Sequence, residues 1–299
     1  MKPARPSSLA ALGEDGLIPF LTRGWKGDRT VLAGAGDDCA VLRAPGRGKT
    51  LLFKTDAVAE GVHFTAATPA AAVGRKALAR ALSDIAAMGG VPTHALVTLA
   101  VPPGTTPQRL AGLYRGLTRL AREHGVNLVG GETLRAKQLL LSIALLGETS
   151  APPVLRSGGR PGDDLWVTGT LGATRKRKHL AFTPRLAEGG WLAKHRLARA
   201  MMDLSDGLAA DLPRLAAASR TSFAIDFSAL PLTRGATVAA ALGDGEDYEL
   251  LFAADPRHRA RLEKAWPFPT RLTRIGLLCP NRRGVSSTPL GHGFDHFQR

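Results

Sequence analysis

Between residues 69 and 88 the apolar positions Val73, Ala77, Ala81, Ile85 and Met88 recur at steps of three or four, the period of a helix with one buried face. Pro69 suits its first turn, and Gly89-Gly90 predicts its end. The same spacing returns at Leu110, Leu113, Leu117 and Leu120, predicting a second helix over 107–124 closed by Gly125. A shorter helix is predicted over 12–23, where Leu17, Ile18, Phe20 and Leu21 supply the apolar face. Between the helices, short apolar runs predict strands around 31–32, 39–42, 51–55, 94–101, 126–129 and 139–145. Strands and helices interleave as far as residue 148, which predicts an α/β unit.

The next stretch, TSAPPVLRSGGRPGDD at 149–164, has three prolines and three glycines and reads as a crossing between domains. Two domains are therefore expected, over 1–148 and 149–299. In the second, strands are predicted at 165–168, 223–227, 248–253 and 272–278. A helix from Ser205 carries Leu208, Leu212 and Leu215, and another is expected near 257–265.

Composition narrows the function. The 299 residues are 44% apolar, enough to fill two cores, and no run of about 18 apolar residues predicts a membrane span. The start lacks the apolar segment of a secretory signal, and two cysteines, Cys39 and Cys279, form neither a disulfide framework nor a zinc site, so a cytoplasmic setting is expected. The net charge of +15 attracts polyanions. Nucleic acid is not the expected partner, because only RKRK at 175–178 is a basic cluster and no aromatic residues interleave with it. Nucleotides and phosphate esters fit the surplus better.

The informative chemistry is in the acidic turns. GAGDDCAVL places Asp37 and Asp38 before a strand, FKTDAVAEGVHF puts Asp56 at a strand end, and ARALSDIAAMGG puts Asp84 on an apolar helix. NLVGGETLR sets Glu132 beside paired glycines, and MMDLSDGLAADL supplies Asp203 and Asp206 across a strand-to-helix turn. Carboxylates drawn toward a core are expensive unless compensated, and Mg²⁺, which takes oxygen ligands and bridges carboxylates to phosphates, would compensate them. Any one of them could instead be a helix cap or turn residue, Asp206 most readily. APGRGKT at 44–50 ends like a P-loop, but Arg43 stands where its first glycine is required and a strand follows where a helix is needed, so it reads as a hairpin turn. For His63, Glu246 and Asp247, spacing alone leaves structural and ligand-binding roles equally open, whereas for Phe294, an aromatic near the chain end, packing on its own domain is the ordinary reading and closing a pocket the alternative.

Taken in chain order, GAGDDCAVL, KTDAVAEGVHF, ALSDIAAMGG, VGGETLR, LRSGGRPGDDLWVTG, MDLSDGLAADL, GDGEDYELLF and GFDHF resemble the thiamine-monophosphate kinase family over roughly residues 12–299. The resemblance implies an aminoimidazole ribonucleotide synthetase-like fold. In it an N-terminal α/β domain pairs its sheet across a homodimer, and a C-terminal α/β domain completes the site. It also implies ATP and several magnesium ions, and conversion of thiamine monophosphate to thiamine diphosphate. Carried over position by position, Asp38, Thr55, Asp56, Asp84, Glu132, Asp203 and Asp206 fall on metal positions. Tyr114, Gly131, Arg156 and Ser205 fall on nucleotide contacts, and His63, Glu246 and Phe294 on contacts to thiamine monophosphate.

The chain departs from that pattern at four places. Glu132 replaces the usual aspartate, Lys54 stands where serine or threonine is common, Asp244 replaces a glycine, and ATRKRKHLAFTPRL follows VTGTLG. GGET also occurs in aminoimidazole ribonucleotide synthetases, so another ATP-dependent enzyme of the same fold is one alternative. A nucleotide-binding regulatory protein without catalysis is the other.

Overall fold

The structure, a computed structural model, describes residues 28–34, 36–44, 49–174, 178–281, 290–291 and 293–294, with Gly16, Pro19 and Thr22 from the predicted first helix. The rest of that helix and Arg175, Lys176 and Arg177 lie outside the described residues.

Six strands form the first sheet: β1 (Val31–Ala33), β2 (Ala40–Arg43), β3 (Thr50–Ala59), β4 (Val91–Val101), β5 (Asn127–Arg135) and β6 (Leu140–Thr149). Their order is β1-β2-β3-β6-β4-β5, antiparallel except for the parallel pair β4 and β5. Alternation decides which face is covered. Leu52 and Val58 of β3, Leu141, Ile143 and Leu145 of β6, and Ala95, Val97 and Leu99 of β4 are buried against α1 (Ala70–Ala87) and α2 (Pro107–Glu123). The helices approach closely because glycines permit it: a Cβ on Gly74 would lie 1.9 Å from the Leu113 carbonyl oxygen, and one on Gly116 1.8 Å from that of Ala71.

The opposite face carries Phe53, Leu96 and Leu134, each about half exposed, and no described helix covers it.

A second sheet, all antiparallel, has the order β8-β10-β7-β11-β9. Its strands are β7 (Asp164–Thr168), β8 (Ala200–Asp203), β9 (Thr221–Ile225), β10 (Leu250–Ala254) and β11 (Leu272–Pro280). Helices α3 (Leu186–Lys194), α4 (Leu208–Ala218), α5 (Val238–Gly243) and α6 (Arg259–Ala265) accompany it.

The cores of the two sheets run together. Phe182 and Tyr248 stack at 4.0 Å inside the first, while Ala86 and Ala87 from α1 pack with Trp166, Leu250 and Phe252 of the second sheet.

Several elements differ from expectation. Asp56 lies inside the ten-residue strand β3, not at its end. Strand β5 runs through the glycine pair to Arg135, nine residues where about four are expected. Gly131 adopts φ 155°, and a Cβ there would lie 1.9 Å from the Val97 carbonyl oxygen, so the strand continues because glycine allows that approach. The expected strand over 248–253 begins at Leu250, since Tyr248 takes a left-handed conformation.

Candidate active site at the seam of the two sheets

Asp38 in the turn before β2, Asp84 in the last turn of α1 and Asp203 at the end of β8 bring carboxylate oxygens within 4.8 Å of one another. All three are at most 6% exposed. Each has one local partner: the Arg156 guanidinium lies 2.7 Å from Asp38, the Lys54 ammonium 3.1 Å from Asp84, and the Ser83 hydroxyl donates to Asp203 at 2.6 Å. Two cations thus face three carboxylates. Burial together with the Asp38 charge pushes Asp203 up to about 7, despite the Ser83 hydrogen bond. Burial likewise raises Asp84, with Lys54 opposing it.

Carboxylates gathered in a buried site are those a hard cation would stabilise, and the donor set is all oxygen, as magnesium prefers. The residues fit such an ion.

Asp56 lies two positions beyond Lys54 on the same face of β3 and is forked by Arg80, Nε to Oδ2 and Nη2 to Oδ1 both at 3.2 Å. Asp206 begins the turn into α4, accepts from Arg214 at 2.5 Å, and takes the Phe294 backbone N–H on its carbonyl at 2.9 Å. Asp211, which sequence reasoning missed, is wholly buried, accepts the Asp206 N–H at 3.0 Å and so shapes that turn. The sequence signal for it is a carboxylate in the first turn of an apolar helix.

Beside this acidic end is a cleft of about 580 Å³. His63, Ser205, Asp206, Glu246 and Phe294, all named from the sequence, line it together, and so does Arg80, which was not. Glu246 receives Lys76 Nζ at 2.6 Å and faces His179 Nδ1 at 3.2 Å. Burial would raise its carboxyl, but His179 and Lys76 outweigh that and its pKa falls to about 2. Glu246 and Tyr248 have φ of 56° and 50°, uncommon for side-chain-bearing residues. Backbone hydrogen bonds from Glu246 N to Ser205 O and from Tyr248 N to Leu204 O hold them there. Conformational cost is thus concentrated where the carboxylate enters the cleft.

The remaining residues are elsewhere. Thr55, next to Asp56, points to the open face of the sheet, with its Oγ1 3.3 Å from Ser142 Oγ. Glu132 is exposed on edge strand β5, paired with Thr98, which pairs with Ser142. At about 4.8 Å per strand, three steps put Glu132 roughly 14 Å across the sheet from Ala57. Glu132 and Thr55 therefore do not join the acidic triad within one chain. Tyr114 is half-buried on α2 and Gly131 lies against Val97, so neither reaches the cleft. Of the basic quartet, only Lys178 is described, and it turns inward onto Asp247 Oδ1 at 2.7 Å and onto the Thr170 carbonyl. Asp244, the residue in place of glycine, accepts the Ala173 N–H at 3.0 Å.

A mixed sheet and an antiparallel sheet meeting at a cleft that runs from buried carboxylates to an aromatic wall define an α/β protein of the AIR synthase-related type, and the family model "AIR synthase related protein, N-terminal domain" matches residues 36–149. The thiamine-monophosphate kinase of Rhodopirellula baltica is 36% identical over 265 residues, covering 82% of this chain and 83% of its own. That of Salmonella typhimurium is 32% identical over 326 aligned positions, covering 96% and 99%. The solved structure of AaThiL complexed with AMPPCP and TMP matches with a TM-score of 0.83 at 30% identity, covering 98% of this chain and all of that one. The chain belongs to the thiamine-monophosphate kinase family.

Proposed function

We propose that this protein transfers the γ-phosphoryl group of ATP to thiamine monophosphate, forming thiamine diphosphate and ADP. One observation carries the reading: Glu246, His63 and Phe294 line a single cleft whose other wall, Ser205 and Asp206, continues from the buried triad of Asp38, Asp84 and Asp203. The similar structure of AaThiL complexed with AMPPCP and TMP supports the same pair of substrates.

The acceptor is a phosphate monoester whose ionised oxygen attacks directly, so no general base is needed. A new P–O bond forms to the γ-phosphorus as the bond to ADP breaks, in line and without a phosphoenzyme. Magnesium, held by Asp38, Asp84 and Asp203 with Asp56 and Asp206 beside them, would neutralise the phosphate charge. The chain's own task is alignment: Ser205 and Arg156 toward the nucleotide, and His63, Glu246 and Phe294 around the vitamin.

Two further assignments complete the reading. The active form is a homodimer joined through the open face of the first sheet, where Phe53, Leu96 and Leu134 are exposed; Thr55 and Glu132, assigned to metal, and Tyr114 and Gly131, assigned to nucleotide, act within that assembly. The division falls at 148/149, giving a metal- and nucleotide-binding half and a half that completes the site. A cytoplasmic setting accords with free Cys39 and Cys279. Among the described residues no helix is long and apolar enough to cross a membrane.

The test is turnover. Purified protein with ATP, magnesium and thiamine monophosphate should yield thiamine diphosphate and ADP in equal amounts. ATP binding without turnover would favour a regulatory protein, and ADP release without thiamine diphosphate another ATP-dependent enzyme of this fold.

A further inference from the structure

Arg80 belongs to the helix segment ALARALSD, where its neighbours are alanine and leucine, and its side chain is only 14% exposed. A guanidinium in that setting is held by what it contacts. It forks Asp56 with Nε and Nη2 at 3.2 Å each, and its Cζ stands over the Tyr248 ring, 6.0 Å from the centre. That fork uses two of the five N–H donors. Nη1 faces Glu246 at 4.0 Å, too far for a hydrogen bond, and Arg80 is part of the cleft wall together with His63, Ser205 and Phe294.

Charge at this point is already balanced without Arg80 serving Glu246. That carboxylate has the buried ammonium of Lys76 at 2.6 Å and His179 at 3.2 Å. The guanidinium is therefore anchored on one edge, with its other edge turned into a cavity between the metal-side carboxylate Asp56 and the vitamin-side carboxylate Glu246. A planar fork with spare parallel donors matches the geometry of a phosphate.

We propose that Arg80 binds the phosphate of the acceptor, holding it where the vitamin end of the cleft meets the acidic end. This rests on the kinase reading above and adds a residue that the family pattern did not supply. Asp56 sets the plane of the guanidinium and Arg80 discriminates a phosphorylated acceptor from its alcohol. A purely structural Arg80, present only to neutralise Asp56, would make no such discrimination.

The experiment uses the full chain with EDTA, so that bound metal does not mask the contact. Thiamine monophosphate and thiamine are titrated separately by calorimetry. In the wild-type protein the phosphate should strengthen binding at least tenfold. In Arg80→Met the two compounds should bind within twofold of one another, with thiamine unchanged from wild type. In turnover the same variant should raise KM for thiamine monophosphate at least tenfold and leave KM for ATP within twofold. Arg80→Lys, which keeps the charge near Asp56 but loses the fork, should recover part of the phosphate preference, and it serves as the test if Arg80→Met does not fold. Retention of the full preference in either variant overturns the proposal, as does equal weakening of both compounds. Raised KM for ATP alone would assign Arg80 to the nucleotide and overturn it too. Failure of wild type to bind either thiamine compound would remove the substrate reading itself, a result distinct from loss of the Arg80 contact alone.

Discussion

Lys54 Nζ lies 3.1 Å from Asp84 Oδ2, so one corner of the acidic triad has an ammonium of the chain's own. Neighbouring residues on β3 divide between the faces of the sheet: Lys54 and Asp56 turn toward α1, whereas Thr55 turns to the open side. The ammonium therefore competes for the carboxylate that a divalent ion would use.

Lys54→Met should destabilise the metal-free protein by about 1–3 kcal/mol, between the values for exposed and for buried ion pairs, because Lys54 keeps a quarter of its side-chain surface. Magnesium should then raise the denaturation midpoint more in the variant than in wild type. Urea titrations with EDTA and with magnesium measure both, and an equal magnesium gain in the two proteins would contradict the competition.

Asp56→Asn should leave the fold intact by circular dichroism and lower phosphoryl transfer at least tenfold, about 1.4 kcal/mol of transition-state stabilisation. The amide still accepts one bond from Arg80 but no longer offers a carboxylate to metal. Full turnover with unchanged magnesium dependence would remove Asp56 from the metal set.

Phe294→Ala should raise KM for thiamine monophosphate and leave ATP binding nearly unchanged. Its tether to Asp206 is a backbone N–H, which the substitution keeps, so only the ring is lost from the cleft wall. Equal weakening of both ligands in a titration would indicate loss of local structure instead.

Glu246→Gln should destabilise the protein at neutral pH, because it leaves the fully buried Lys76 ammonium without its carboxylate. The sign with pH follows from the lowered carboxyl. A folded pKa of about 2, below the ordinary 4.5, contributes stability above pH 4.5 that disappears as the pH falls toward 2. The stability gap between wild type and variant should therefore narrow steadily from pH 5 to pH 3 in urea titrations. A constant gap would show that the ion pair is not its source.

Periodicity was sufficient for α1, α2 and the strands near Leu52, Leu99 and Leu141, where one face is buried and alternation or a step of three to four is clear. It failed where tertiary contact overrode local preference. Helix α3, which no periodicity predicted, contains Gly189-Gly190, and Gly189 is what lets that helix meet α1: a Cβ there would lie 2.0 Å from the Ala86 carbonyl oxygen. Asp56 looked like a strand end because a carboxylate interrupts an apolar run, and Arg80, 24 residues away, is what allows it mid-strand. The acidic residues of the triad were legible as types, and their convergence was not. Arg80 and Lys54 gain meaning only from partners on other elements, for which a single chain of letters has no spacing signal.

Helix α1 is shared property. Its middle packs on the first sheet, while Ala86 and Ala87 lie among side chains of the second. The same last turn presents Asp84 to Asp38, and Ser83 to Asp203 of β8. A rotation of one half against the other, of the kind that would widen the cleft for exchange of ligands, would have to part Ser83 from Asp203 and disperse the carboxylates as it went. Opening the door and dismantling the lock are one movement in this architecture, so departure of the product and release of its counter-ions would be mechanically linked.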